Sequence, residues 1–355
     1  MPDLILPNAL AMLIGSQPLR EHKEATRLIL EYTPEIPNWV QLPAYKHEGM
    51  VEQFMDGLPG LVRTDDRNYV DITAADFDDQ MLVFFEEYLG VVGQEGDWDQ
   101  TRFVLKPEHA PGFFSLLDAL DTHGGKLMAI KGQVTGPITF CTALHDQDKR
   151  AIFYHDSLRD TAVKLLALKA AWQAKILNRT GAPVIIFIDE PALAGYGSSE
   201  LISISREDIA VCLQEVIDAV HGQGALAGVH VCANTDWSLL LDSAVDIVNF
   251  DAHGYFDKLI LYAEQLKRFL ASGRFLAWGL VPTLKAEQIE AATVESLWQG
   301  WNEKIQQLAD KGMDAATVTA QSFITPACGT GSLTPELSRR VLELTRDLSA
   351  RIRET

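Results

Sequence analysis

Pro183-Val-Ile-Ile-Phe-Ile-Asp189 is an almost unbroken apolar run that stops abruptly at a pair of carboxylates, Asp189 and Glu190. A strand with apolar side chains on both faces is buried on both faces, and such strands belong to parallel sheets covered by helices. Downstream, short apolar runs alternate with amphipathic stretches. Ser205 and Asp208 form a capping-box-like helix start, Ala225 to Val231 is a strand, and Asp236 to Ser243 is a short helix. Asp246 to Phe250 is the next strand, followed by a helix from Phe256 to Leu270. Phe275 to Val281 is a strand and Glu287 to Leu308 a helix. Val318 to Ile324 is the last strand, and Pro335 opens the closing helix.

Upstream, Lys126 to Val134 is predicted as a strand and Asp156 to Leu177 as a helix, with Ala9 to Ile14 and Trp39 to Leu42 as further strands. The stretch 63–111 is more acidic and less periodic, and is expected to be an insertion, a hairpin or small lid. Repeated strand–helix alternation predicts an α/β chain with a parallel sheet. At 355 residues, with no linker between two halves, a single (β/α)8 TIM barrel is expected over 1–355, ahead of an open doubly wound sheet.

The charge bounds the partners. With 30 Lys plus Arg against 49 Asp plus Glu, the net charge is -19. Nucleic acid and anionic membrane surfaces need a basic face, so neither is expected. No apolar run approaches the roughly 18 residues that span a bilayer. The apolar stretch Leu4 to Ile14 has Asp3 before it where a signal peptide carries basic residues. Four cysteines, Cys141, Cys212, Cys232 and Cys328, are too few for a disulfide framework, and a cytoplasmic chain with reduced thiols is expected.

In a barrel of this kind, functional residues sit past the C-terminal ends of the strands. Polar residues fall there at Ile14-Gly15-Ser16, Asp189-Glu190, His230-Val-Cys232 and Ala327-Cys328-Gly329. His230 and Cys232, at i and i+2 on one strand, share a face. With Cys328 from another strand end they offer one nitrogen and two thiolates, a donor set suited to Zn²⁺, and Asp251 offers a fourth, carboxylate ligand. The alternative is a buried histidine beside two small apolar-like cysteines. A metal held by two thiolates is a poor activator of water and well suited to keeping a bound thiol nucleophilic, so alkyl transfer to a thiol is expected before hydrolysis.

Asp189 is expected to face the mouth and hold a substrate ammonium, and Glu190 to face outward in a structural ion pair with an Arg or Lys. Ile14, Gly15 and Ser16 offer a turn for a substrate carboxylate. His253, two residues after Asp251, is a candidate proton donor or spare ligand. Cys141 and Cys212 read as helix packing residues.

These stretches resemble the catalytic half of cobalamin-independent methionine synthase, in the wider uroporphyrinogen-decarboxylase-like barrel superfamily. The resemblance is carried by Leu13-Ile-Gly-Ser16, Met50-Val-Glu-Gln-Phe54, Val134-Thr-Gly-Pro-Ile-Thr139, Phe187-Ile-Asp-Glu-Pro-Ala-Leu193, His230-Val-Cys232 and Ala327-Cys-Gly329. It implies zinc on His230, Cys232 and Cys328, and homocysteine near Ser16 and Asp189. The family's fourth ligand is a Glu, where the similar strand here is followed by Asp251, and Ala44 lies near the place of another family Glu.

His230-Val-Cys-Ala-Asn-Thr235 is also similar to the zinc motif of methylcobalamin:coenzyme M methyltransferases. A corrinoid methyl donor such as methylcobalamin, free or on a corrinoid carrier protein, is therefore expected in preference to methyltetrahydrofolate. Rival readings are a metal-free porphyrinogen-type decarboxylase, for which Arg20 is the one arginine near the first strand, and a non-catalytic zinc- or corrinoid-binding partner.

Overall fold

Seven parallel strands curl in the order β1-β9-β8-β7-β6-β5-β4, where β1 is Leu10–Ala11 and β4 Ile130–Thr135. The others are β5 (Val184–Asp189), β6 (Leu226–Val231), β7 (Ile247–Phe250), β8 (Phe275–Val281) and β9 (Ser322–Pro326). A separate antiparallel hairpin joins β2 (Leu61–Arg63) to β3 (Asn68–Val70). The structure is a computed structural model that describes residues 5–95, 97–197 and 201–354.

Residues 37–41 fill the gap between β1 and β4. Lys131 N donates to Pro37 O at 2.9 Å, Gln41 N to Gly15 O at 3.2 Å, and Gln17 N to Gln41 O at 2.9 Å. The expected strand at Trp39 to Leu42 is thus present as an eighth stave, held by isolated bridges and not by a ladder. Side-chain amides supply what the ladder lacks. Gln133 Nε2 and Asn38 Nδ2 both donate to Trp39 O, and Gln41 Nε2 donates to Gln53 Oε1. The architecture is that of a TIM-like α/β barrel, closed at this seam by side chains.

The alternation of each strand sorts two cores. Leu10, Met12, Ile185, Phe187, Ile247, Phe275, Ala277 and Phe323 fill the barrel's interior. Their neighbours Ile186, Ile188, Val229 and Val248 face the helices. Phe187 is the central plug, because a Cβ on Gly228 would lie 2.3 Å from its ring.

The helix Asp156–Leu177 and the strand β8 have the expected bounds, and Ser205 with Asp208 closes the predicted capping box. Three expectations need correction. The helix expected from Glu287 to Leu308 is two helices, Ala286–Ala291 and Val294–Asp310, because Thr293 and Ser296 form a capping box that starts a new one. The helix expected from Phe256 to Leu270 begins earlier and is interrupted at Ile260–Tyr262. Val318 lies in the helix Ala315–Ala320, capped by Asp314, and the last strand begins at Ser322.

Within 63–111, Val70 N donates to His145 O, which ties the hairpin to the rim. The following helix, Phe77–Val92, lies along the barrel's flank, where the Lys164 ammonium stands 5.5 Å from the Tyr88 ring. No helix among the described residues is long and apolar enough to cross a membrane.

Candidate metal centre

Asp189, His230 and Asn249 are successive register partners across β5, β6 and β7, so their side chains form one row at the C-terminal rim. His230 and Asp189 are buried, at 3% and 6% exposure. Cys232 follows two residues beyond His230 on the same face, and Cys328 enters from the loop after β9. Ligand atoms of His230, Cys232 and Cys328 all lie within 4.8 Å of one another.

The His230 ring is oriented from behind. Asn249 Nδ2 donates to Ala277 O at 2.8 Å and to Thr325 Oγ1 at 3.0 Å, which turns its Oδ1 to His230 Nδ1. An amide oxygen only accepts, so Nδ1 carries the proton and the Nε2 lone pair is left for a ligand. Nε2 is buried and has no hydrogen-bond partner among the described residues. A buried polar atom without a partner is costly unless something binds it. The Cys328 thiol, then His230, draw Cys232 towards the thiolate. The same pairing, with burial, pushes Cys328 up. Burial works against a charge on His230, but Cys232 and Asp189 raise its pKa. One imidazole nitrogen, one thiolate and a neighbouring thiol, from which a cation would displace the protons, make a donor set that fits Zn²⁺.

Asp189 brings a second orphan, since its Oδ1 is also buried and without a partner among the described residues. Burial pushes its carboxyl above the ordinary range, against the pull of His230 and Lys131. Lys131 is a residue that sequence reasoning missed. It lies fully buried inside the barrel, donating to Ile14 O at 2.5 Å and standing 4.6 Å from the Phe187 ring. Burial pushes its pKa down to about 8. The signal was available, for Lys131, Gln133 and Thr135 alternate along one face of β4, and the first is the odd charge in a barrel interior.

Glu190 is structural, but its partner is not an arginine or lysine. Its carboxylate accepts from Ile138 N, Thr139 N and Thr139 Oγ1 at 2.7–2.8 Å, at the start of the helix Pro137–Ala143. Gly136 must be glycine here, because a Cβ would lie 2.1 Å from Glu190 Cδ. Burial pushes the Glu190 carboxyl up to about 7.

Asp251 stays outside the ligand group found among the described residues. It is buried near Cys232, but its Oδ1 accepts from Gly254 N at 2.7 Å and caps the helix Ala252–Leu259. His253, in that helix's first turn, is likewise not brought to the cysteines; it lines a groove on the barrel's outer side. Ser16 stands beside the cysteine loop, where its Oγ accepts from Gly331 N at 3.2 Å and its carbonyl from Thr330 N at 3.0 Å. Gly15 packs tightly, since a Cβ would meet Gln133 Nε2 at 3.0 Å. Ile14 is held through its carbonyl by Lys131. Cys141 and Cys212 are buried in helices, away from the mouth.

Neither a protein-family model nor a curated protein sequence matches the chain. Among solved structures, it is similar to a methyltransferase from Methanosarcina mazei, at 16% identity and a TM-score of 0.52. That match covers 92% of this chain and 84% of the other. The likeness is one of fold, and it runs almost end to end. A dihydropteroate synthase from Thermus thermophilus aligns over 97% of this chain and 98% of its own, at 10% identity and a TM-score of 0.31.

Proposed function

We propose that the protein is a zinc-dependent S-methyltransferase that methylates a small thiol, homocysteine, to give methionine, from a corrinoid donor. The observation that carries this reading is the unpartnered Nε2 of His230 facing two cysteine sulfurs at the barrel mouth. The likeness in fold to a methyltransferase accords with it.

Zinc on His230, Cys232 and Cys328 would bind the substrate sulfur and keep it a thiolate at neutral pH. The chain's own residues do the rest. Asn249 fixes the tautomer and orientation of His230. Asp189, with an open oxygen in the same row, accepts the substrate ammonium. Ser16 keeps its own hydroxyl proton to donate to the substrate carboxylate, while its oxygen is held by the Gly331 amide. Lys131 ties the Ile14 carbonyl beneath the Gly15-Ser16 turn and faces Asp189 with a positive charge, so the turn and the carboxylate are positioned together. Positioning of this kind is most of what an in-line methyl transfer asks of a protein.

The test is metal content followed by thiol response. The purified protein is expected to carry about one zinc per chain, to release protons when homocysteine is added, and then to demethylate methylcobalamin. Absence of stoichiometric zinc refutes the reading. Proton release with coenzyme M and not with homocysteine moves it to a different thiol.

A further inference from the structure

Beside the mouth, outside the β7 and β8 exits, lies a groove of about 450 Å³ between the first turn of Ala252–Leu259 and the helices Ala286–Ala291 and Val294–Asp310. Its floor is Leu280, Ala292 and Leu297, and its polar groups include His253, Gln288 and Lys304. No acidic side chain lines it, in a chain of net charge -19. Lys304 is half-buried, donates to Gly300 O at 3.3 Å, and stands 5.8 Å from the Phe256 ring. It makes no ion pair among the described residues; Glu303 acts on it only at a distance. The His253 ring makes no hydrogen bond among the described residues either; burial lowers its pKa, with the Asp251 carboxylate acting against that and Lys304 adding to it. A half-buried ammonium without a counter-ion, beside a second nitrogen base and an amide, lacks an anion to complete it.

We infer that this groove is a subsite for an anionic oxygen group, phosphate or carboxylate, on the methyl donor. The inference rests on the methyl-transfer reading above and on the groove's place next to the ends of β7 and β8, where His253 and Leu280 stand. The cobalamin nucleotide loop carries such a group as a phosphodiester, which cobinamide lacks. A folate carries it as glutamate carboxylates.

The experiment compares affinities of the zinc-loaded protein for methylcobalamin and methylcobinamide, and for mono- and triglutamyl methyltetrahydrofolate. The same comparison is made on Lys304→Gln. The expected result is that the wild type prefers the more anionic member of one pair by about tenfold, as one charge-assisted hydrogen bond gives. Lys304→Gln erases that preference, with unchanged affinity for the less anionic member. Preference in the corrinoid pair identifies a phosphate source, and preference in the folate pair a carboxylate source. No preference in either pair, or a preference that survives Lys304→Gln, overturns the subsite. Thiol-dependent demethylation of all four donors by the wild type is measured alongside. Its absence with both corrinoids and both folates defeats the methyl-transfer reading, whatever the binding shows.

Discussion

His230 and Asn249 face each other from neighbouring strands, joined through Nδ1 and Oδ1, and this pairing decides which ring nitrogen is open to a ligand. Asn249 is itself fixed by Ala277 and Thr325, so four staves, β6 to β9, hold one imidazole. Replacing Asn249 by Ala leaves all three proposed ligands in place but frees the ring. Zinc affinity is expected to fall about 10- to 100-fold, measured by competition with a chromogenic chelator. Unaltered affinity removes Asn249 from that role.

Cys328→Ser is expected to abolish both zinc retention and thiol-dependent methyl loss from methylcobalamin. Compared metal-free, wild type and variant should show nearly the same thermal transition, since Cys328 is only partly buried and lies in a loop, whereas the zinc-loaded wild type should melt higher. Metal analysis and calorimetry on one preparation separate the two effects. Full zinc in the variant takes Cys328 out of the site.

Glu190 gives the fold a pH dependence of calculable sign. Its carboxyl titrates at about 7 in the folded chain against 4.5 in the ordinary case. Between those values the folded state holds a proton that the unfolded chain releases, so this group's contribution is greatest at acid pH and declines as pH rises through 7. Glu190→Gln has no such titration. The stability gap between wild type and variant in urea should narrow from pH 5 to pH 8. A gap that does not move contradicts the assignment.

Gly228 and Phe187 make a complementary pair at the centre of the barrel. Gly228→Ala overfills the interior and is expected to cost about 1–3 kcal/mol. Phe187→Ala is expected to cost about 3–5 kcal/mol by opening a cavity. Adding Gly228→Ala to Phe187→Leu should cost less than adding it to the wild type, because the two sites share one volume. Strict additivity in chemical denaturation argues against that contact.

The sequence was most legible where one physical demand dominated. The apolar run ending at Asp189 had one solution, a strand buried on both faces, and the His230–Cys232 spacing had one consequence, a shared face. Where two demands met at one residue, the sequence did not separate them. Asp251 ends a strand where a ligand would sit, yet Asp just before a helix is also a cap, and its Oδ1 caps the helix here. Thr293 and Ser296 lay inside an apparently continuous helical pattern, and their capping outweighed it. The eighth stave was visible in Trp39 to Leu42, but its reliance on Gln133, Asn38 and Gln53 side chains depends on neighbours distant in sequence.

The tie between Ser16 and the loop after β9, together with the pairing of Leu10 with Phe323, has a consequence for biosynthesis. His230 and Cys232 leave the ribosome well before Cys328, and β1 waits for β9 before it has a partner. Until then the His230, Cys232 and Cys328 cluster lacks its third member. On the zinc reading proposed above, metal loading would come last in synthesis, after the first and last strands have met.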